Sequence, residues 1–143
     1  MSQLEIKVVG LNELIEKLGQ ATAQSTIETP LEQGAYFLQA WSQKNRLSGP
    51  RPNILGVVSG RLRSSLSVSR SVKRNELSFF IGTNVEYARQ HEFGGFVDKV
   101  SKLGKPFTSL YPARPFLRPA IENQDNIDRI TASINKAIAK ALE

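Results

Sequence analysis

The sequence predicts an α+β domain: a small, largely antiparallel sheet packed against helices, with a long C-terminal helix. Three observations predict it. Leu4, Ile6 and Val8 alternate with polar residues, and period two returns at 66–72 and 77–81, so each is a strand with one buried face. Leu11, Leu14, Ile15 and Leu18 recur at helical spacing. Ile121, Ile127, Ile130, Ile134, Ile138 and Ala141 keep a mostly three-and-four spacing near the end of the chain.

The elements follow in order. Gly10 breaks the first strand, and the first helix either runs on through 21–28 or pauses near Gly19. Thr29-Pro30-Leu31-Glu32 reads as a capping box with proline at the first helical position, so a helix is expected over about 30–44. Leu31, Ala35 and Leu38 form its stripe, Tyr36 and Phe37 widen it, and Trp41 reads as core packing. Gly49-Pro50-Arg51-Pro52 makes 45–59 a loop. Ser59 suits the cap of a short turn over 60–65.

The strands at 66–72 and 77–81 form a hairpin that turns at Arg74-Asn75. Arg70 is the one charge on the apolar face of its strand. A helix over 85–93 ends at Gly94-Gly95. Residues 95–111 read as a long, flexible loop, with a strand possible near 96–100. The last helix, from about 119 to 142, spans about 35 Å if unbroken and should pack across the sheet. The chain, residues 1–143, reads as a single domain without repeats.

Composition bounds the function. With 40% hydrophobic and 22% charged residues the chain is globular in character. It has no cysteine, which excludes disulfides, thiol nucleophiles and cysteine-based metal sites. No run of eighteen apolar residues marks a membrane span, and the N-terminus carries no secretory pattern. The net charge is +6, and its distribution is uneven. Residues 1–32 hold five acids and two bases, whereas 33–75 hold eight bases and no acid. Arg51, Arg61, Arg70, Lys73 and Arg74 form a candidate basic surface for nucleic acid or an acidic protein; a solvated face is the plainer alternative.

Catalytic patterns are missing. His91 is the single histidine, and its spacing to Glu86 and Glu92 does not share a helix face, so no metal site or cofactor is expected. No serine lies in a Gly-x-Ser-x-Gly elbow, and Gly94-Gly95 is not a phosphate loop.

Three stretches carry a resemblance when taken in order. They are Ser59-Gly60-Arg61-Leu62-Arg63-Ser64-Ser65, then Ile81-Gly82-Thr83-Asn84-Val85-Glu86-Tyr87-Ala88 running into His91-Glu92-Phe93-Gly94-Gly95, then Pro112-Ala113-Arg114-Pro115-Phe116-Leu117-Arg118-Pro119-Ala120. The set resembles the phage HK97 gp10-like and virion-morphogenesis families of head–tail joining, neck, tail-completion and minor tail proteins. The resemblance implies a non-enzymatic ring subunit, commonly of six copies, made in the bacterial host cytoplasm and placed at the head–tail junction or upper end of the tail. Its implied partners are further copies, a head connector and a tail tube or terminator protein, with genomic DNA in the channel as a further candidate and no membrane. A tail terminator, a minor tail subunit and a small DNA-binding protein are the alternatives.

The resemblance also singles out residues for structural or interface roles: Gly60, Leu62, Arg63, Tyr87, Glu92, Phe93, Gly94, Arg114, Pro115 and Phe116. Gly60 is expected to permit a tight turn and Leu62 to anchor it. Tyr87 and Phe93 are expected to bury, and Glu92 to pair with Arg63 or Arg114. Pro115 and Pro119 are expected to hold Phe116 and Leu117 as the last helix begins.

Overall fold

A computed structural model of the chain describes residues 2–7, 11–50, 54–56, 60–73 and 76–143. Gly10, Arg51, Ser59 and the turn at Arg74-Asn75 lie outside the described residues. The expected α+β class is observed, with helices beside two small antiparallel sheets.

Strand β1 (Ser2–Lys7), strand β2 (Ser67–Lys73) and strand β3 (Glu76–Thr83) form one antiparallel sheet in the order β1-β3-β2. The central strand buries most. Leu77, Phe79, Ile81 and Thr83 alternate along its covered face, all at most 3% exposed. Leu4 from β1 joins this core, and Val68 from β2 packs against it.

Helix α1 (Leu11–Leu18) stops at Gly19, whose φ of 81° suits glycine. Helix α2 (Gln20–Arg46) then runs for 27 residues and is the axis of the molecule. This corrects the expected start at Pro30: Thr29 caps nothing, and Pro30 lies inside the helix. A proline there costs roughly 3 kcal/mol. The buried series Ala23, Ile27, Leu31, Ala35 and Leu38 keeps its period straight through that position. Each large side chain in the series contributes about 1.5–3 kcal/mol, so packing outweighs the local break.

Helix α3 (Arg61–Ser65) is the expected short turn. Helix α4 (Ala88–Phe93) ends at Gly94, as expected, but begins at Ala88 rather than Val85. Within 95–111 the strand near 96–100 is present, and a second strand takes the place of the rest of the expected loop. Strand β4 (Gly95–Val100) and strand β5 (Pro106–Tyr111) pair antiparallel as a second, two-stranded sheet. Its turn is built: Ser101 N–H donates to Lys105 O at 2.8 Å, Gly104 N–H to Ser101 O at 2.9 Å, and Lys105 N–H to Ser101 Oγ at 3.1 Å.

The last helix is two helices, α5 (Arg118–Glu122) and α6 (Gln124–Ala141). Asn123 interrupts them with extended backbone, and its side chain accepts the Asn126 N–H at 3.3 Å. Asn126 is buried, and its Nδ2 donates to Ala120 O at 2.8 Å. Helix α6 therefore spans about 27 Å rather than 35 Å. It also packs along α2 rather than across the sheet. Gly34 lets it approach: a Cβ on Gly34 would lie 3.1 Å from Ile130 Cγ2.

Candidate functional site

The second and third motif stretches, far apart in sequence, lock together around one carboxylate. Glu92 is only 4% exposed. Its Oε2 accepts the backbone N–H groups of Phe116 at 2.8 Å and Leu117 at 3.0 Å, and its Oε1 accepts that of Arg118 at 3.0 Å. These are orphan donors at the start of α5, where no intrahelical carbonyl can reach. A carboxylate there satisfies three donors and lies at the positive end of the peptide dipoles.

This replaces the expected pairing of Glu92 with Arg63 or Arg114. Arg114 enters the junction through its backbone, donating its N–H to His91 O at 2.7 Å. Arg63 likewise contributes its carbonyl, which accepts from Gln43 Nε2 at 2.9 Å. Pro115 O accepts from Arg46 Nε at 3.0 Å, which ties the junction to the end of α2. Phe116, whose N–H Glu92 accepts, is fully buried.

Gly94 completes the lock. Its φ is 67°, and a Cβ would lie 2.7 Å from Ala113 N and 2.8 Å from Tyr111 O. Both neighbours are backbone, so neither can swing aside.

Tyr87 and Phe93 correct their expectation. They are 38% and 62% exposed. Helix α4 is short, and its inward positions are Ala88 and Glu92, four apart. Seating Glu92 inside turns the next residue, Phe93, outward. Tyr87 instead meets the His91 ring edge-on, with centroids 5.7 Å apart, and His91 meets Tyr111 at 6.1 Å.

The first motif stretch is a separate node. Gly60 has φ 76° and precedes α3, without a side-chain cap. Leu62 packs against the core. Ser65 Oγ and Thr83 Oγ1 share a hydrogen bond of 2.5 Å, and Thr83 Oγ1 accepts Val85 N–H at 3.1 Å. Gln39 Nε2 donates to Leu66 O at 2.5 Å, so α2 holds both ends of the turn.

Among the described basic residues, Arg70 and Lys73 do not share a face of β2. Arg61 and Arg63 are exposed on α3. Arg70 projects toward α2 and forms a two-point ion pair with Glu28, with Nη2 3.2 Å from Oε2. Lys73, three residues on, falls on the opposite face of β2. Arg51 and Arg74 lie outside the described residues.

The β4–β5 hairpin carries a feature the sequence reading did not single out. Cross-strand register places Phe96 opposite Leu110, Asp98 opposite Thr108 and Val100 opposite Pro106 on one face. All six are exposed, and Asp98 Oδ1 accepts from Thr108 Oγ1 at 2.9 Å at the centre. The other face turns inward at its base, where Tyr111 meets His91 and Lys99 lies over the Tyr111 ring at 4.8 Å. No clean alternation marks the hairpin in the sequence, where Phe96-Val97 and Phe107 put apolar residues on both faces.

Among the described residues, no cluster of three histidines, cysteines or carboxylates could hold a metal. No described helix is long and apolar enough to cross a membrane. What the arrangement can do is hold a rigid junction and present surfaces. Residues 3–137 match the model of the phage virion morphogenesis family. No curated protein and no solved structure matches the chain.

Proposed function

The chain belongs to the phage virion morphogenesis family, and we propose that it completes the tail or joins it to the head of a tailed particle. Membership supports a structural role in a phage virion rather than a catalytic one. The proposed station is the head–tail junction or the upper end of the tail, with six copies in a ring. The proposed partners are a head connector and a tail tube or terminator protein.

The family match over nearly the whole chain carries this reading. The fold suits it: a braced body supports a projecting hairpin, and ring contacts require two different surfaces on each copy. Genomic DNA is a weaker candidate, because Arg70 is already paired and Lys73 faces away from it.

The test is electron microscopy of particles from the parent phage with the gene disrupted, beside a complemented control. Separate full heads and finished tails that join on adding the protein are expected. Abnormally long tails would assign tail termination instead. Normal infectious particles would overturn an essential virion role.

A further inference from the structure

We propose that the β4–β5 hairpin is an arm that docks on α2 of a second copy of this chain, over Tyr36 and Glu32. The inference rests on the reading of the chain as a multi-copy virion subunit and names the contact between copies.

The arm has the character of one half of an interface. Phe96 is 77% exposed, Val100 70%, Leu103 86% and Leu110 65%. Together these side chains present roughly 500 Å² of largely apolar surface, as much as the largest patch of an ordinary monomer. Leu103 stands at the apex of a hydrogen-bonded turn, so it is presented outward by structure. Beyond the contacts at its base, the hairpin's extensive packing is strand on strand.

The occupant follows from charge and from the rest of the surface. Lys102 and Lys105 flank Leu103 and are exposed, so the tip is both apolar and basic. The same chain concentrates acid at its other end, with five acids against two bases in residues 1–32. Glu28 is engaged by Arg70. Glu32 is exposed one turn before Tyr36, which is 52% exposed on the outside of α2. The described exposed residues of α1 are polar, namely Asn12, Glu13, Glu16 and Lys17. Among other exposed acids beside exposed apolar side chains, Glu122 by Ile121 pairs with Arg118, and Glu86 adjoins Tyr87, whose ring meets His91, so Glu32 with Tyr36 on α2 is the complement the arm favours. Arm and patch are different surfaces, so the contact is heterologous and propagates from copy to copy.

The absence of cysteine makes the test clean. Leu103→Cys and Ala40→Cys are introduced into separate full-length chains; Ala40 is exposed one turn beyond Tyr36. The two proteins are mixed and treated with a short bismaleimide. A crosslinked dimer containing one of each is expected, well above a control pairing Leu103→Cys with Ala132→Cys on α6. Lys102→Glu with Lys105→Glu on the arm should lower the yield about tenfold, and Glu32→Lys on the receiving chain should restore it. Unfolding midpoints are measured for every variant. A mixed pair that links no better than the control overturns the proposal, as does a chain that sediments as a monomer at every concentration. So does a yield indifferent to both charge reversals in folded protein. These readouts use the isolated chain, whereas the tail-completion reading is tested on particles, so failure of one is distinguishable from failure of the other.

Discussion

Two neighbouring regions, joined at Gly94, treat their side chains in opposite ways. In the α4–α5 junction the carboxylate of Glu92 is inside and serves three backbone donors, with Phe116 buried beneath it. In the β4–β5 hairpin the apolar side chains are outside, and Phe96 and Leu110 face solvent across from each other. The junction is complete within one chain. The hairpin is held by its ladder and turn, yet Phe96, Val100 and Leu110 on its outer face stay exposed in the single subunit. Burial of a charge therefore marks the part that the fold needs, and exposure of apolar surface marks the part that a partner needs.

The sharpest way to break this contrast is to make the same substitution in both regions. Phe116→Ala should cost about 3–5 kcal/mol by urea unfolding, because the ring is fully buried. Phe96→Ala should change stability by less than about 0.5 kcal/mol, because its ring packs in solvent. Equal losses would show that the hairpin face is covered within the monomer. Next in size is Glu92→Ala, which strands three donors at the start of α5; about 3 kcal/mol is expected. Glu92→Gln keeps one acceptor oxygen and should cost less. A loss equal to that of the alanine variant would mean that one acceptor oxygen is not enough to hold the junction.

How much of this was legible depends on how far apart the cooperating residues are. The strand alternation of β1 and β3 and the glycine after α4 are local signals, and the structure follows them; β2 pairs where expected but buries none of its residues, with Val72 exposed. Pro30 misled because a local rule was set against a longer one: its helix-starting preference lost to a stripe running from Ala23 to Leu38. Asn123 was overlooked because the isoleucine period continues across it, while its side chain can cap a new helix. Glu92 is legible in the sequence as a motif residue, but its partners are not. An acid is expected to seek an arginine, whereas these donors are backbone groups 24 to 26 residues away and carry no residue signature. Phe93 is illegible for the same reason, since its exposure depends on which neighbour is seated inward. The hairpin turn at 101–105 depends on Ser101 and Gly104 acting together, which a count of lysines and glycines in a connection does not reveal.

A smaller effect probes the body that supports both regions. Gly34→Ala places a methyl group 3.1 Å from Ile130 Cγ2 and 3.2 Å from its Cγ1. The neighbour is a side chain, so α6 can give by a few tenths of an ångström. A loss of about 1–2 kcal/mol is expected, offset in part by the better helix propensity of alanine. A gain in stability would mean that the α2–α6 contact is looser than the junction it braces.

The smallest expected effect separates fold from surface on the basic segment. Arg70→Gln removes a two-point ion pair to Glu28, but both side chains remain partly exposed, 47% and 30%. Solvent screens such pairs, so the loss should be about 0.5 kcal/mol at low salt and shrink further as salt rises. The aliphatic stem of Arg70 beside α2 adds a packing contribution that glutamine partly retains. A salt-independent loss of more than about 2 kcal/mol would reassign Arg70 to the fold's interior. A negligible loss, with weakened assembly, would instead free Glu28 as an acid one turn from Glu32 and show that α2 needs its acidic side balanced. Only the second outcome would tie the basic segment to the proposed contact between copies, because Glu28 lies one turn from Glu32 on α2.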